Sequence, residues 1–160
     1  MNSAPHAPDT VERSRPTPSD PAEAHFRSPL PRGLRDVAHA LSWDNFYATY
    51  ACAGGIRLGS WSATPGRGGL IDYQATIAIG DRIWSLRESS TGAIGAITAM
   101  LHALGTPIEI VSLHHQRTAD GYAGFVLCDV RGISSWGLGV DETAEAAYVK
   151  AMISAVNRLG

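Results

Sequence analysis

The residues that invite a chemical reading first lie between Arg87 and Met100, "RESSTGAIGAITAM". A strand-like segment there passes through Ser89, Ser90, Thr91 and Gly92 into an apolar helix beginning at Ala93 and Ile94. Backbone N–H groups at such a junction can hold an anion or a carboxylate. Hydroxyl side chains at the same place have a plainer use as helix caps. Both readings stand for Ser89, Ser90 and Thr91.

A second candidate is the pair His114–His115 in "LHHQR". Imidazole titrates near neutrality and can move a proton or contact a ligand. Neighbouring strand residues point to opposite faces, so the two rings cannot easily share one metal. One exposed histidine and one hydrogen-bonded histidine is the structural alternative. Glu88, at the end of the strand before the junction, could reach a ligand or form an ion pair. His114, His115 and Glu88 are therefore the candidate catalytic groups. Cys52 and Cys128 fit neither a disulfide framework nor a spaced zinc site, and no metal or other cofactor is expected.

These residues need elements to hold them. Within the 160 residues, seven of the nine prolines fall in the first 31 positions, and only one of the seventeen glycines precedes Gly54. Residues 1–33 are rich in Pro, Ser and Ala, with few large apolar side chains, and read as a disordered tail. The tail has no apolar core of a secretory signal, no run approaches a membrane span, and the thiols suit a reducing cytoplasm. A net charge of −2 gives no electrostatic reason for nucleic acid or an anionic membrane as partner.

Residues 34–52 carry Val37, Leu41, Trp43, Phe46, Tyr47 and Tyr50 at roughly helical spacing and form a helical linker. The ordered domain spans residues 55–160. Ile56–Ala63 reads as a strand. Ile71, Tyr73, Ala75, Ile77 and Ile79 alternate with smaller or polar residues, a half-buried strand turned by Gly80–Asp81 into Arg82–Glu88. Ile94, Ile97, Leu101 and Leu104 then share a helical face.

The same order returns: strands over Ile108–Gln116, Tyr122–Val130 and Ile133–Gly139, then a helix capped by Asp141 with its stripe on Ala144, Tyr148, Ala151, Met152, Ala155, Val156 and Leu159. Two β-β-β-α repeats emerge, each needing the other to close a core. The fold class is α+β, with two antiparallel sheets, two helices and a pseudo-twofold axis. Trp84 and Trp136 hold similar places in the repeats.

The closing segment "SSWGLGVDETAEAAYVKAMISAVNR" resembles the end of the C-terminal regulatory domain of 2-isopropylmalate synthase. There a Trp-Gly-x-Gly strand leads into a helix ending Ala-x-x-Ser-Ala-x-Asn-Arg; here these are Trp136, Gly137, Gly139, Ala151, Ser154, Ala155, Asn157 and Arg158. "WDNFYATY" is similar to a helix that precedes the domain in that family. The resemblance covers about Trp43 to Arg158.

It implies a leucine-binding, dimerising unit, with isoleucine the effector in related citramalate synthases. It also implies a site near the strand-to-helix junctions, over Ser89, Ser90, Thr91, Gly92, Ala93 and Ile94 with His114, Gly137, Gly139 and Asp141. The synthase reaction needs a (β/α)₈ barrel of roughly 250 residues and a metal held by His and Asp ligands. The resemblance therefore implies a free-standing homodimeric sensor acting in trans on a catalytic subunit, not a synthase by itself.

Two departures bear on the ligand. Ser90-Thr91-Gly92-Ala93 stands where the synthases usually carry Gly-x-Gly-Pro, and His114–His115 lies where they often carry tyrosine. The ligand is then leucine, or an altered small amino acid or acid. A repurposed isomerase or cyclase, and a purely structural dimerisation module, are the alternatives.

Overall fold

The computed structural model describes residues 20–160. Three short helices, α1 (Pro21–Phe26), α2 (Arg32–Val37) and α3 (Trp43–Tyr50), precede the two repeats. The first repeat is β1 (Ile56–Pro65), β2 (Ile71–Ile79), β3 (Arg82–Ser90) and α4 (Ala93–Ala103). The second is β4 (Glu109–Arg117), β5 (Tyr122–Val130), β6 (Ile133–Asp141) and α5 (Ala144–Asn157). Each sheet is three-stranded and antiparallel in sequence order, so the expected α+β architecture of two β-β-β-α units is what the chain forms. The units even share an irregularity. Each first strand slips register once, between Leu58 and Ser60 and between Ile110 and Ser112.

Local sequence explains the hairpins. Arg131 and Gly132 both adopt positive φ, at 53° and 86°, the pattern of a two-residue turn whose twist matches its strands. In β2, Tyr73, Ala75 and Ile77 are buried while Gln74 is exposed, the period-2 alternation of a one-sided sheet.

The main core joins both repeats. Tyr73, Ala75 and Ile77 of the first sheet meet Ala96, Ile97, Met100 and Leu101 of α4, Val126 and Cys128 of β5, and Val149, Met152 and Val156 of α5. Helix α5 lies unusually close to the second sheet. A Cβ on Gly137 would stand 2.0 Å from the Ala151 carbonyl oxygen, and one on Gly139 would stand 2.2 Å from that of Ala147. Gly124 meets Ala147 in the same way, at 2.9 Å. The alanine stripe Ala147, Ala151 and Ala155 is therefore pressed onto a floor of glycines.

Three expectations change. Residues 20–33 are not the disordered tail expected of them: Ala22, Phe26 and Leu30 are buried together with Leu34, and α1 lies within this stretch; the part of that expectation before residue 20 is outside the described residues. These side chains form a second core with Phe46 and Tyr50 of α3 and with Phe125, Trp136 and Leu138 on the outer face of the second sheet. The helical linker is two helices, α2 and α3. The cap of α5 is Thr143, whose Oγ1 accepts from the Ala146 N–H at 3.2 Å. Asp141 instead ends β6, its Oδ2 2.6 Å from Lys150 Nζ and its Oδ1 accepting from the Glu142 N–H.

The tryptophans also differ. Trp84 pairs with Ile77 of the core-facing set and remains 42% exposed. Trp136 pairs with Leu127 on the opposite face and is buried in the second core. The two do not occupy equivalent faces.

Candidate functional site

The two strand-to-helix junctions have opposite chemistry. At β6–α5, Thr143 caps the helix and Glu145 puts an acid in its first turn. At β3–α4 the N-cap is Gly92, with no side-chain cap and no acid in the first turn. Only Ser90 Oγ approaches, accepting from the Gly92 N–H at 3.4 Å. The first N–H groups of any helix lack intrahelical partners, and they carry the positive end of its dipole. Helix α4 therefore presents an unneutralised donor set over Ala93, Ile94 and Gly95.

That donor set opens onto a pocket of about 380 Å³ lined by Thr91, Gly92, Ala93, Ile94, Gly95, Glu145 and Tyr148. One wall is thus the bare start of α4, and the other is the first turn of α5. Gly92 is extended at φ −164°, and a Cβ there would meet nothing within 4 Å. Its smallness leaves room beside the N–H groups; its conformation does not demand glycine.

Tyr148 is half-buried, and burial pushes its phenol pKa up. Its hydroxyl is 2.6 Å from His115 Nδ1, and the two rings meet edge to face at 5.6 Å. Tyr73, wholly buried, keeps a hydroxyl without a hydrogen-bond partner. Burial chiefly raises its pKa, and the Glu145 carboxylate adds to the effect.

Of the residues singled out in the sequence, Thr91, Gly92, Ala93 and Ile94 come together in this pocket, with Ser90 behind the helix start. The others lie elsewhere. Ser89 donates to Asp72 Oδ1, and with Glu88 it lines a separate cavity of about 240 Å³. His114 and His115 occupy opposite faces of β4. His114 pairs with Phe125 on the outer face, near Gln116, while His115 pairs with Gly124 on the α5 side. Burial, then the neighbouring His115, lowers the His114 pKa. Gly137 and Gly139 are occupied by the seam with α5, and Asp141 by Lys150. The three candidate catalytic groups thus sit on three different surfaces.

The pocket residues the sequence reading passed over are Gly95, Glu145 and Tyr148. Glu145 reads in isolation as an ordinary acid in a capped first turn, and no local pattern ties it to α4. Among the described residues no group of three His, Cys, Asp or Glu side chains is placed to hold a metal. No described helix is long and apolar enough to cross a membrane.

Asn157 was legible as part of a motif, and the structure gives it a task. Its Oδ1 accepts from the Ile56 N–H at 3.0 Å, and its Nδ2 donates to the carbonyls of Ile56 at 2.9 Å and Cys52 at 3.3 Å. Arg158 follows by placing its guanidinium 4.5 Å over the Tyr50 ring and donating to the Trp136 carbonyl. The Asn-Arg pair thus fixes α3 and its connection to the domain, away from the α4 pocket.

No protein-family model matches the chain. Individual relatives do. A 2-isopropylmalate synthase of Clavibacter michiganensis subsp. michiganensis is 29% identical over 136 residues, covering 77% of this chain and 23% of the relative. Those of Renibacterium salmoninarum and Kineococcus radiotolerans are 31% identical over 110 residues and 35% identical over 78. This chain is similar to 2-isopropylmalate synthases. The chain spans about a quarter of the length of the Clavibacter synthases it matches. Homology to this part of the synthases supports a regulatory-domain-like role.

Proposed function

We propose that the chain is an effector-binding homodimeric regulatory unit. Its ligand is leucine or a related small amino acid, held between the bare start of α4 and the first turn of α5, and occupancy is relayed to a synthase catalytic barrel. One observation carries this reading: an uncapped helix N-terminus with no acid of its own shares a pocket of about 380 Å³ with Glu145 of α5. Helix N–H groups favour a carboxylate, Glu145 favours an ammonium group, and Ile94 and Ala93 supply apolar wall. A zwitterion with an aliphatic side chain complements all three.

The replacement of Gly-x-Gly-Pro by Ser90-Thr91-Gly92-Ala93 adds the Thr91 hydroxyl to the rim and an N–H at Ala93. Both favour a ligand with more polar contact near its carboxylate than leucine alone requires.

Titration calorimetry with leucine, isoleucine and valine, beside 4-methylpentanoate as leucine without its amine, tests the reading. At least one amino acid should bind, and 4-methylpentanoate should bind more weakly. Glu145→Gln should weaken the amino acid by about tenfold, the cost of a charge-assisted contact, and leave 4-methylpentanoate unchanged. No heat and no thermal stabilisation with any of the amino acids would overturn it.

A further inference from the structure

We propose a second small-molecule site, separate from the α4 pocket, for an aromatic monocarboxylate. It lies where the N-terminal helices meet the β4–β5 turn, in a cavity of about 770 Å³. That volume falls in the range of pockets that enclose small ligands. It shares no lining residue with the α4 pocket.

The walls are aromatic. Phe26 of α1 stands edge to face with Trp43 at 5.1 Å, and Tyr47 follows one turn along α3, its ring 5.6 Å from that of Trp43. The His25 ring lies flat on Trp43, 3.5 Å between centroids and 8° between planes. Tyr47 and Val140, both lining the cavity, remain 46% and 39% exposed. A planar apolar body laid against this wall would remove water from surface that the fold leaves wet.

The charge is opposite in character to that of the α4 pocket. Arg27 and Arg117 both line the cavity, against the single carboxylate of Asp120. Among the described residues neither guanidinium is within 4.0 Å of a carboxylate oxygen; the ion pairs formed there are Arg35–Glu23 and Lys150–Asp141. Arg27 is held by its backbone: it terminates α1 in the left-handed region at φ 55°, its N–H donating to the Glu23 carbonyl. Arg117 is held by the end of β4, where the Thr118 N–H closes the turn onto the Gly121 carbonyl at 2.8 Å. Two guanidiniums free of carboxylate partners among the described residues, that of Arg117 lying 6.0 Å over the Tyr122 ring, match a carboxylate attached to a ring when set beside this aromatic wall. A cationic aromatic molecule would meet the same wall but face net positive charge.

Calorimetry with phenylacetate, phenethylamine and acetate distinguishes the contributions. Phenylacetate should bind saturably at one site per chain, whereas phenethylamine and acetate at the same millimolar concentration should give no saturable heat. Arg117→Ala and Arg27→Ala should each weaken phenylacetate by about tenfold with the melting temperature unchanged, since both side chains are exposed. Glu145→Gln, in the other pocket, should leave phenylacetate binding unaltered, so this proposal can fail or stand independently of the amino-acid site. Absence of saturable phenylacetate binding, equal binding of phenethylamine, or unchanged affinity in both arginine variants would overturn it.

Discussion

At the scale of single residues, the two helix starts show how small changes divide structural from binding roles. Thr143 satisfies a donor of α5 with its own hydroxyl, and the Asp141–Lys150 pair tightens the strand before it. Gly92 does neither for α4. The hydrogen bond from Lys150 chiefly holds the Asp141 carboxyl below its ordinary value of 3.8; the Glu142 N–H acts in the same direction, against burial that pushes it up. A carboxyl whose pKa is lower in the folded state stabilises the protein above its unfolded value, and the contribution disappears as pH falls through the folded value. Asp141→Asn should therefore cost less than ~1 kcal/mol at neutral pH, because the pair is partly solvated. In denaturant titrations the gap from the native sequence should close as the pH is lowered below 3.8. A gap that widened in acid would contradict the assignment.

At the scale of elements, glycines that look alike in sequence serve different ends. Gly137 and Gly139 let α5 approach the second sheet to within a distance no side chain allows, whereas Gly92 borders open space. Gly139→Ala should destabilise the protein by about 3 kcal/mol, the upper range for overpacking, whereas Gly92→Ala should cost no more than about 1 kcal/mol, the penalty for alanine at an N-cap. Comparable melting temperatures for the two variants would refute this division. The strands, the helices and the repeat were legible because alternation in β2 and the apolar spacing of α4 are local signals. The α5 seam was not, because the contact between Gly139 and Ala147 joins two elements, and sequence spacing reports only which face each residue takes. Glu145 escaped for the same reason: its partner surface is the start of α4, more than fifty residues earlier in the chain.

At the scale of the whole molecule, the second sheet is buried on both faces, by α5 on one and by the N-terminal helices on the other. The buried Gln116 side chain donates to the Pro29 carbonyl, and Glu23 receives the Leu30 N–H as well as pairing with Arg35. Composition hid this arm, since Pro, Ser and charged residues surround its few apolar side chains. A signal was nonetheless present: Ala22, Phe26, Leu30, Leu34 and Ala38 recur every four residues, and all five are buried. Deleting residues 1–42 should therefore uncover Phe125 and Leu138, lower the melting temperature and increase binding of a hydrophobic dye, while deleting residues 1–19 should do so far less. Equal behaviour of the two truncations would mean that the arm does not cover the sheet.

The central claim, that the uncapped start of α4 is the effector site, is tested most directly by a crystal structure with the amino acid that gives calorimetric heat. The ligand carboxylate should lie within hydrogen-bonding distance of the N–H groups of Ala93, Ile94 or Gly95, with its ammonium group on Glu145. An amino acid bound elsewhere, with the α4 junction empty, would contradict it.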